Sequence, residues 1–212
     1  MILSKAKLKL IRSLELKKFR TEHGLFVAEG PKLIDELMGH FDCQLIAATS
    51  EWLKKHSKYS AEEIYEVSQE ELSKASSLKT PQQVIALFKQ PKHTFNASVV
   101  QNKLCLALDG VQDPGNLGTI IRLADWFGIE DIFCSEETAD VYNSKTIQAC
   151  MGGLARVRVH YTSLYDLIKS NKEVVVYGTL LDGENIYSKS LKQHGIILMG
   201  NEGKELVKLY VH

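Results

Sequence analysis

The most constraining feature of this sequence is the alternation of strand and helix patterns that begins at Lys103. Leu104–Leu108 is a continuous apolar run, which is typical of a strand buried on both faces. Leu117–Phe127 follows with its apolar residues at helical spacing, and Gly128 is a natural stop for that helix. Further strands are predicted at Ile129–Cys134, Val157–His160, Val174–Leu180 and Ile196–Met199. Further helices are predicted over Ser144–Met151 and from the cap Thr162 to about Lys169. This alternation predicts an α/β fold with a parallel sheet covered on both faces.

The residues before Lys103 have a different pattern and predict a separate small α/β module. Its strands are expected at Phe26–Ala28, Leu45–Ala48, Glu63–Val67 and Val84–Phe88. Its helices are expected from Pro31 to about Met38, over Trp52–Lys58, and from the cap Ser68 through Lys74. The polar stretch from Pro91 to Asn102 lacks periodicity and is expected to be a linker. The predicted division is therefore one domain over residues 1–92 and a second over residues 103–212.

Composition excludes several classes of protein. The chain has 212 residues, 44% of them hydrophobic, with 26 basic and 26 acidic side chains, which argues against disorder. No apolar run approaches the roughly 18 residues of a membrane helix, and no signal peptide is evident. The four cysteines and seven histidines lack metal-ligand spacing. We therefore expect a cytoplasmic protein with no membrane partner, no metal and free thiols.

The zero net charge hides a strongly basic beginning. Residues 1–20 carry seven basic side chains against Glu15 alone. The basic residues are Lys5, Lys7, Lys9, Arg12, Lys17, Lys18 and Arg20. Apolar residues are interleaved with them at helical spacing, and Ser4 or Ser13 could cap the helix. The pattern predicts either a surface that contacts nucleic-acid phosphates or a solvated basic helix face, and charge alone leaves both open.

Two strand ends carry several polar residues and glycines together and are called the loaded strand ends. The first is the segment from Asp109 to Arg122. The strand runs into a Pro- and Gly-containing loop and then into a helix for which Asn116 is the predicted N-cap. Gly118 allows close approach of a ligand, and Arg122 follows on the same face about one turn later. An arginine there suits a phosphate or carboxylate, although a snorkelling surface arginine is the alternative. The loop matches neither a dinucleotide nor a P-loop fingerprint, so neither of those sites is supported.

The second loaded strand end is the run Gly200–Gly203, which follows the predicted strand Ile196–Met199. Glycines at such a position permit close backbone contact with a flat ligand, and Glu202 could hold a cation or cap a helix. A tight turn with an acidic cap is the alternative. Ligands of parallel sheets bind at the carboxyl ends of strands, where both loaded segments fall.

These two segments together resemble the SpoU/TrmH family of RNA ribose 2′-O-methyltransferases in the SPOUT superfamily. Asn116-x-Gly118-x-x-x-Arg122 is similar to the family's motif 1, and Gly200-Asn201-Glu202-Gly203 resembles motif 2. Residues 143–157 and the pair Gly178-Thr179 resemble the segments between the motifs. Residues 18–37 resemble the substrate-binding domain that is often fused to these enzymes.

The resemblance implies an enzyme that transfers a methyl group from S-adenosylmethionine to a ribose 2′-hydroxyl of rRNA or tRNA. It implies a homodimer built through an α/β knot, with the leading module holding structured RNA. Arg122 would contact RNA and help to activate the hydroxyl, and Asn116 would order the catalytic loop. The implied cofactor-binding residues are Thr179, Leu180, Gly200, Asn201, Glu202 and Gly203. The implied RNA-binding residues are Lys5, Lys7, Lys9, Lys18, Arg20 and Arg122.

The family's third motif, which lies beyond motif 2, does not fall within the 212 residues. The resemblance therefore implies that the knot and the cofactor pocket are incomplete in this chain. Two other hypotheses follow. One is a non-catalytic RNA-binding relative, and the other is an unrelated α/β enzyme that binds a small anion at the helix beginning near Asn116.

Overall fold

The computed structural model describes residues 3–92, 96–179 and 185–200. The chain divides into two compact units, Met1–Lys92 with Asp140–Ala155, and His93–Ala139 with Arg156–His212. Within the described residues, every helix is too short or too polar to cross a bilayer.

The helices and strands alternate along most of the chain. The helices are α1 (Lys5–Ser13), α2 (Lys17–His23), α3 (Pro31–Leu37), α4 (Ser50–Lys55), α5 (Gln69–Ala75), α6 (Pro114–Trp126), α7 (Ser144–Ala149) and α8 (Leu164–Lys169). The strands are β1 (Leu25–Glu29), β2 (Cys43–Ala48), β3 (Glu63–Glu66), β4 (Val84–Lys89), β5 (Leu104–Asp109), β6 (Asp131–Cys134), β7 (Arg158–Tyr161), β8 (Val176–Gly178) and β9 (Gly195–Gly200). The α/β fold class predicted from the sequence is confirmed, although many element boundaries move by one to three residues.

Capping residues explain where several helices begin. Of the two candidate caps Ser4 and Ser13, Ser4 caps α1, and its hydroxyl accepts the Lys7 N–H. Ser68 and Glu71 form a complete capping box at the start of α5, which is worth about 1 kcal/mol. Pro31 is the first residue of α3, where its missing N–H costs nothing.

The first unit is built on a four-stranded sheet with the order β1-β4-β2-β3. Only the β2–β3 pair is parallel. Helices α1 and α5 cover one face of the sheet and form a core with the strands. This core contains Ile11, Leu14, Leu25, Leu45, Ala47, Tyr65, Val67, Leu72, Ala75, Ile85 and Leu87.

Asp140–Ala155 belongs to the first unit although it follows β6 in sequence. Helix α7 packs on β1, and the Tyr142 ring stacks on Phe26 with centroids 5.1 Å apart. The Gln148 side chain donates a hydrogen bond to the Glu29 carbonyl at 2.8 Å. The two domains over residues 1–92 and 103–212 therefore stay a prediction from the sequence. The two compact units of the structure are instead interleaved along the chain.

The second unit is a five-stranded, fully parallel sheet with the order β7-β6-β5-β9-β8, as predicted. All residues from Cys105 to Asp109 are buried, so β5 is covered on both faces. On one face, α8 and the 3-10 helix Ala97–Gln101 pack against β5, β6 and β9. Val100 of that 3-10 helix is fully buried, so the segment expected as a linker contributes to the core.

Two of the predicted caps are wrong. Asp113 rather than Asn116 is the N-cap of α6. Pro114 suits the first helical position, so Asp113 is the residue just before the helix, and its carboxylate accepts the N–H of Asn116, three residues later. Ser163 rather than Thr162 caps α8. The implied knot depends on the chain beyond Gly200, which lies outside the described residues.

Candidate active site

The two loaded strand ends lie side by side at one edge of the parallel sheet. Strands β5 and β9 are hydrogen-bonded neighbours, and Asp109 is paired in register with Gly200. From β5 the chain first adds β6 and β7 on one side, and then places β9 and β8 on the other. The order therefore reverses between β5 and β9, and such a switch point leaves a crevice at the carboxyl ends of the strands.

Helix α6 begins at this edge. The Asp113 carboxylate accepts the Asn116 N–H at 2.9 Å. Asn116 is thus the third residue of the helix, and its exposed side chain makes no hydrogen bond with any described residue. The buried stripe of the helix is formed by Leu117, Gly118, Ile121 and Ala124.

Arg122 lies on the exposed side of α6 and makes no hydrogen bond or ion pair within the described parts of the chain. Arg156 and Arg158 of the same unit contrast with it, since Arg156 is bound to Asp125 and Arg158 is bound to Asp131. The exposed fork of N–H groups on Arg122 therefore has no acceptor among the described residues. Such a group is suited to bind a phosphate.

A hydrogen-bond network that the sequence analysis did not anticipate holds the loop after β5. Gly110 has a φ of 68°, and its N–H donates to the Ser135 hydroxyl at 2.9 Å. The Thr138 hydroxyl donates to the Leu108 carbonyl at 3.1 Å. The Ala139 N–H donates to the Val111 carbonyl at 2.8 Å. The sequence signal for this network is the pair of hydroxyl residues Ser135 and Thr138, which follow β6, a strand adjacent to β5.

The remaining predicted cofactor residues are only partly described. Thr179 directly follows β8, and its N–H and hydroxyl both donate to the Leu198 carbonyl, at 3.1 and 3.3 Å. Gly200 is the last residue of β9. Leu180, Asn201, Glu202 and Gly203 lie outside the described residues.

Asp109 is the buried acidic residue of this edge. It is 6% exposed, and its Oδ2 atom is buried without a hydrogen-bond partner within the described structure. Most buried polar atoms in proteins are hydrogen-bonded, so an unpartnered carboxylate oxygen marks a place where an external donor can bind. Among the described residues, no group of three or more His, Cys, Asp or Glu side chains could hold a metal ion.

The predicted RNA-binding lysines are placed on the surface of the first unit. Lys5, Lys9 and Lys18 are exposed. Lys7 is half-buried and forms an ion pair with Glu63, whose hydrogen bond raises the pKa of the Lys7 ammonium.

Arg20 is placed differently from the lysines, because it is 2% exposed. Its guanidinium donates to the Asp140 carboxylate at 2.6 and 3.0 Å, and to the carbonyls of Leu14 and Glu15 at 2.8 and 2.7 Å. These four hydrogen bonds lie inside the unit. The Arg20 guanidinium is therefore committed to contacts within the first unit and is not placed for direct contact with RNA.

Comparison with known proteins decides the family. The sequence pattern of the SpoU rRNA methylase family matches residues 103–210, half of the chain. This chain belongs to the SpoU rRNA methylase family. In this family member, residues 5–86 also match the MRM3-like substrate-binding domain.

Several relatives of this SpoU-family chain have names or structures. It is 31% identical to the 23S rRNA (guanosine(2553)-2′-O)-methyltransferase RlmP of Bacillus subtilis, over 93% of this chain and 79% of the relative. It is 28% identical to the mitochondrial rRNA methyltransferase 3 of Xenopus laevis, but spans only 40% of that longer protein.

Two solved structures share the fold. A TrmH-family RNA methyltransferase structure from Porphyromonas gingivalis has a TM-score of 0.90 and 34% identity, over 100% of this chain and 87% of that one. The rRNA methyltransferase of Sinorhizobium meliloti, solved with S-adenosylmethionine bound, has a TM-score of 0.79 and 29% identity, over 98% and 84%.

Proposed function

We propose that this chain is an RNA methyltransferase that transfers a methyl group from S-adenosylmethionine to a ribose 2′-hydroxyl, in ribosomal or transfer RNA of the cytoplasm. The observation that carries the proposal is the adjacency of the β5 and β9 ends at the switch point, next to the helix that presents Arg122. The Bacillus subtilis relative, whose name gives the same reaction on 23S rRNA, supports ribosomal RNA as the substrate.

The residues of this edge fit the cofactor. S-adenosylmethionine is positively charged at its sulfonium and its ammonium group, and Asp109 supplies a buried carboxylate oxygen that lacks a donor in the described structure. Gly200 and Gly178 end the neighbouring strands without side chains, which leaves room for a ligand. Thr179, and the Leu180 and Asn201–Gly203 positions of the sequence motif, would complete the contacts. When bound, the cofactor supplies an electrophilic methyl group.

Arg122 acts on the RNA rather than as a base, because the guanidinium remains protonated at any physiological pH. We assign it the phosphate beside the target ribose. Its positive charge also stabilises the negative charge that develops on the 2′-oxygen. The proton passes to the phosphate or to water. Asn116, one turn before Arg122 on α6, has an exposed amide that can order the bound RNA and the catalytic loop.

The first unit holds the RNA through its exposed cations. Lys5, Lys9 and Lys18 can each bind a phosphate, whereas Lys7 must first leave Glu63. Each phosphate contact contributes a slope of about −0.7 to −0.9 to the logarithm of affinity against the logarithm of salt concentration. RNA binding should therefore weaken steeply with salt.

We further infer that the chain acts as a homodimer that pairs through the end of α6. Leu123, Trp126 and Phe127 are exposed large apolar side chains close together in sequence, and Trp126 is 83% exposed. Contiguous exposed apolar residues mark interaction surfaces. Light scattering should give the mass of a dimer for the native protein and of a monomer for Trp126→Glu; a monomeric native protein contradicts the pairing.

The activity is tested with Arg122→Ala, measured as transfer of a labelled methyl group to ribosomal RNA together with calorimetric titration of S-adenosylmethionine. Transfer should be lost while the dissociation constant of the cofactor stays within about twofold, because Arg122 is assigned contacts with the RNA and none with the cofactor. Arg156→Ala is the matched control, since Arg156 is bound to Asp125 and has no assigned role. Transfer by the Arg122 variant at the native rate overturns the role of Arg122. A native protein that binds RNA but no cofactor is a non-catalytic relative.

A further inference from the structure

The position of Asp109 in the sheet fixes which face it occupies. Side chains alternate along a strand, so Asp109 shares a face with Ala107 and Cys105. Those two residues lie in the core formed with α8 and with Ile196 and Leu198 of β9. Asp109 therefore extends this face beyond the apolar core, at the carboxyl edge of the sheet.

The neighbouring strand β9 presents no side chain beside this carboxylate. Gly200 of β9 is the register partner of Asp109. One level below, Leu198 separates Ala107 from Gly178 of β8. Gly200 thus lies beside Asp109 without a side chain, and Gly178 ends the next strand, β8, also without a side chain.

The described donors of Gly110, Thr138 and Thr179 near this edge are bonded to other acceptors. The Gly110 N–H is bonded to Ser135, and the Thr138 hydroxyl is bonded to a backbone carbonyl. The N–H and hydroxyl of Thr179 are both bonded to the Leu198 carbonyl. Within the described residues, none of these groups is bonded to Oδ2 of Asp109.

The other buried aspartate of the same unit shows what a paired carboxylate requires here. Asp131 accepts hydrogen bonds from Arg158 at 2.7 and 2.8 Å and from His160 at 2.9 Å. Leaving a buried polar group without a partner costs free energy that a paired group does not lose. A ligand that donates a hydrogen bond to Asp109 therefore gains binding free energy, because it satisfies the unpartnered oxygen.

We propose that Asp109 is a cofactor-binding residue whose carboxylate accepts hydrogen bonds from the ammonium group of the methionyl part of S-adenosylmethionine. The ammonium carries three N–H donors, whereas the sulfonium carries none, so of the two cationic groups the ammonium is the one that satisfies the unpartnered oxygen. This assignment rests on the proposed function and adds a residue outside the two sequence motifs.

The test is calorimetric titration of the native protein and Asp109→Asn with three ligands. S-adenosylmethionine has two cationic groups, the sulfonium and the ammonium. Of these two, S-adenosylhomocysteine keeps only the ammonium, and 5′-methylthioadenosine has neither. A hydrogen bond between charged groups supports a loss of about 10-fold or more for the first two ligands in the variant. Affinity for 5′-methylthioadenosine should stay within about twofold. Asp125→Asn, at a half-buried aspartate bound to Arg156, is the matched control and should leave all three affinities unchanged.

The outcomes separate the alternatives. Unchanged affinities overturn the assignment, and so does a loss confined to S-adenosylmethionine, which would place the carboxylate at the sulfonium. An equal loss for all three ligands also overturns the assignment, because it would place the carboxylate at the adenosine part that they share or give it a structural role. A native protein that binds none of the three refutes the proposed function itself. As an independent readout, ligand-free Asp109→Asn should unfold at or above the native temperature, because the isosteric amide removes an unpaired buried charge.

Discussion

Replacing Arg20 by alanine tests how the segment Asp140–Ala155 is held in the first unit. The change removes four hydrogen bonds and leaves Asp140, with its side chain 15% exposed, together with two carbonyls without their donor. Breaking one partner of a buried pair costs about 3–5 kcal/mol. For a chain of this length each kcal/mol lowers the melting temperature by about 2–4 °C. We therefore expect a fall of about 6–20 °C.

The two tryptophans make the measurement specific to the first unit. Trp52 lies in that unit and is 1% exposed, whereas Trp126 is already exposed in the second unit. Because the proposed dimer would cover Trp126, the comparison is made in the Trp126→Glu background, where the change in fluorescence on urea unfolding comes from Trp52, the remaining tryptophan. Hydrogen exchange supplies the local readout, and the amides of Asp140–Ala155 should lose protection in Arg20→Ala while those of β6 keep theirs.

Asp140→Asn completes a double-mutant cycle with Arg20→Ala. The two changes should be coupled by about 0.5–3 kcal/mol, because they remove the same interaction. Arg20→Lys keeps the charge but loses the bidentate geometry, so its effect should be intermediate. A cost below about 1 kcal/mol for Arg20→Ala, or strict additivity with Asp140→Asn, would refute the view that this ion pair anchors the segment.

Three further predictions concern packing and titration. Gly152→Ala should destabilise the protein by at least about 1 kcal/mol more than Gly39→Ala, measured by urea unfolding. Both glycines have positive φ, but only at Gly152 would the added Cβ meet another carbon, the Cβ of Glu36 at 2.5 Å. Equal costs for the two changes contradict this prediction. Burial raises the pKa of three thiols to about 12, those of Cys43, Cys105 and Cys134. These three thiols should thus react at pH 8 about 1000-fold slower in the native protein than in denaturant, and fast labelling of more than one of the four cysteines contradicts this. Burial acts to raise the pKa of Asp131, but hydrogen bonds from an arginine and a histidine hold it below normal. The ionised Asp131 carboxylate therefore adds to the free energy of unfolding above about pH 4, and this contribution is lost as the pH falls. In Asp131→Asn the free energy of unfolding should fall less steeply at acidic pH than in the native protein. An unchanged dependence on pH contradicts the pairing.

The sequence was most informative where the periodicity is local. The apolar run Leu104–Leu108 predicted a fully buried central strand, and the structure buries it on both faces. Ser68 and Pro31 predicted helix starts because their effects depend on neighbours within four residues. Asn116 was assigned wrongly because Asp113 offers the same capping chemistry and Pro114 decides between them.

The sequence was least informative where long-range pairing decides. Arg20 fits the basic surface pattern of residues 1–20, but Asp140 lies 120 positions away and draws it into the interior. The unpartnered carboxylate of Asp109 likewise depends on which strands flank β5. Those neighbours come from tertiary pairing, and strand patterns alone do not specify them.

The discontinuous first unit also affects how the protein is made. Before Ala155 emerges from the ribosome, Phe26 lacks the Tyr142 ring that stacks on it, and Arg20 lacks Asp140. Domains generally fold during synthesis, beginning with the N-terminal one. Here the N-terminal sheet must wait, with an uncovered apolar patch, while β5 and β6 of the second sheet are synthesised. During that interval the nascent chain presents a surface that a chaperone specific for apolar segments can bind.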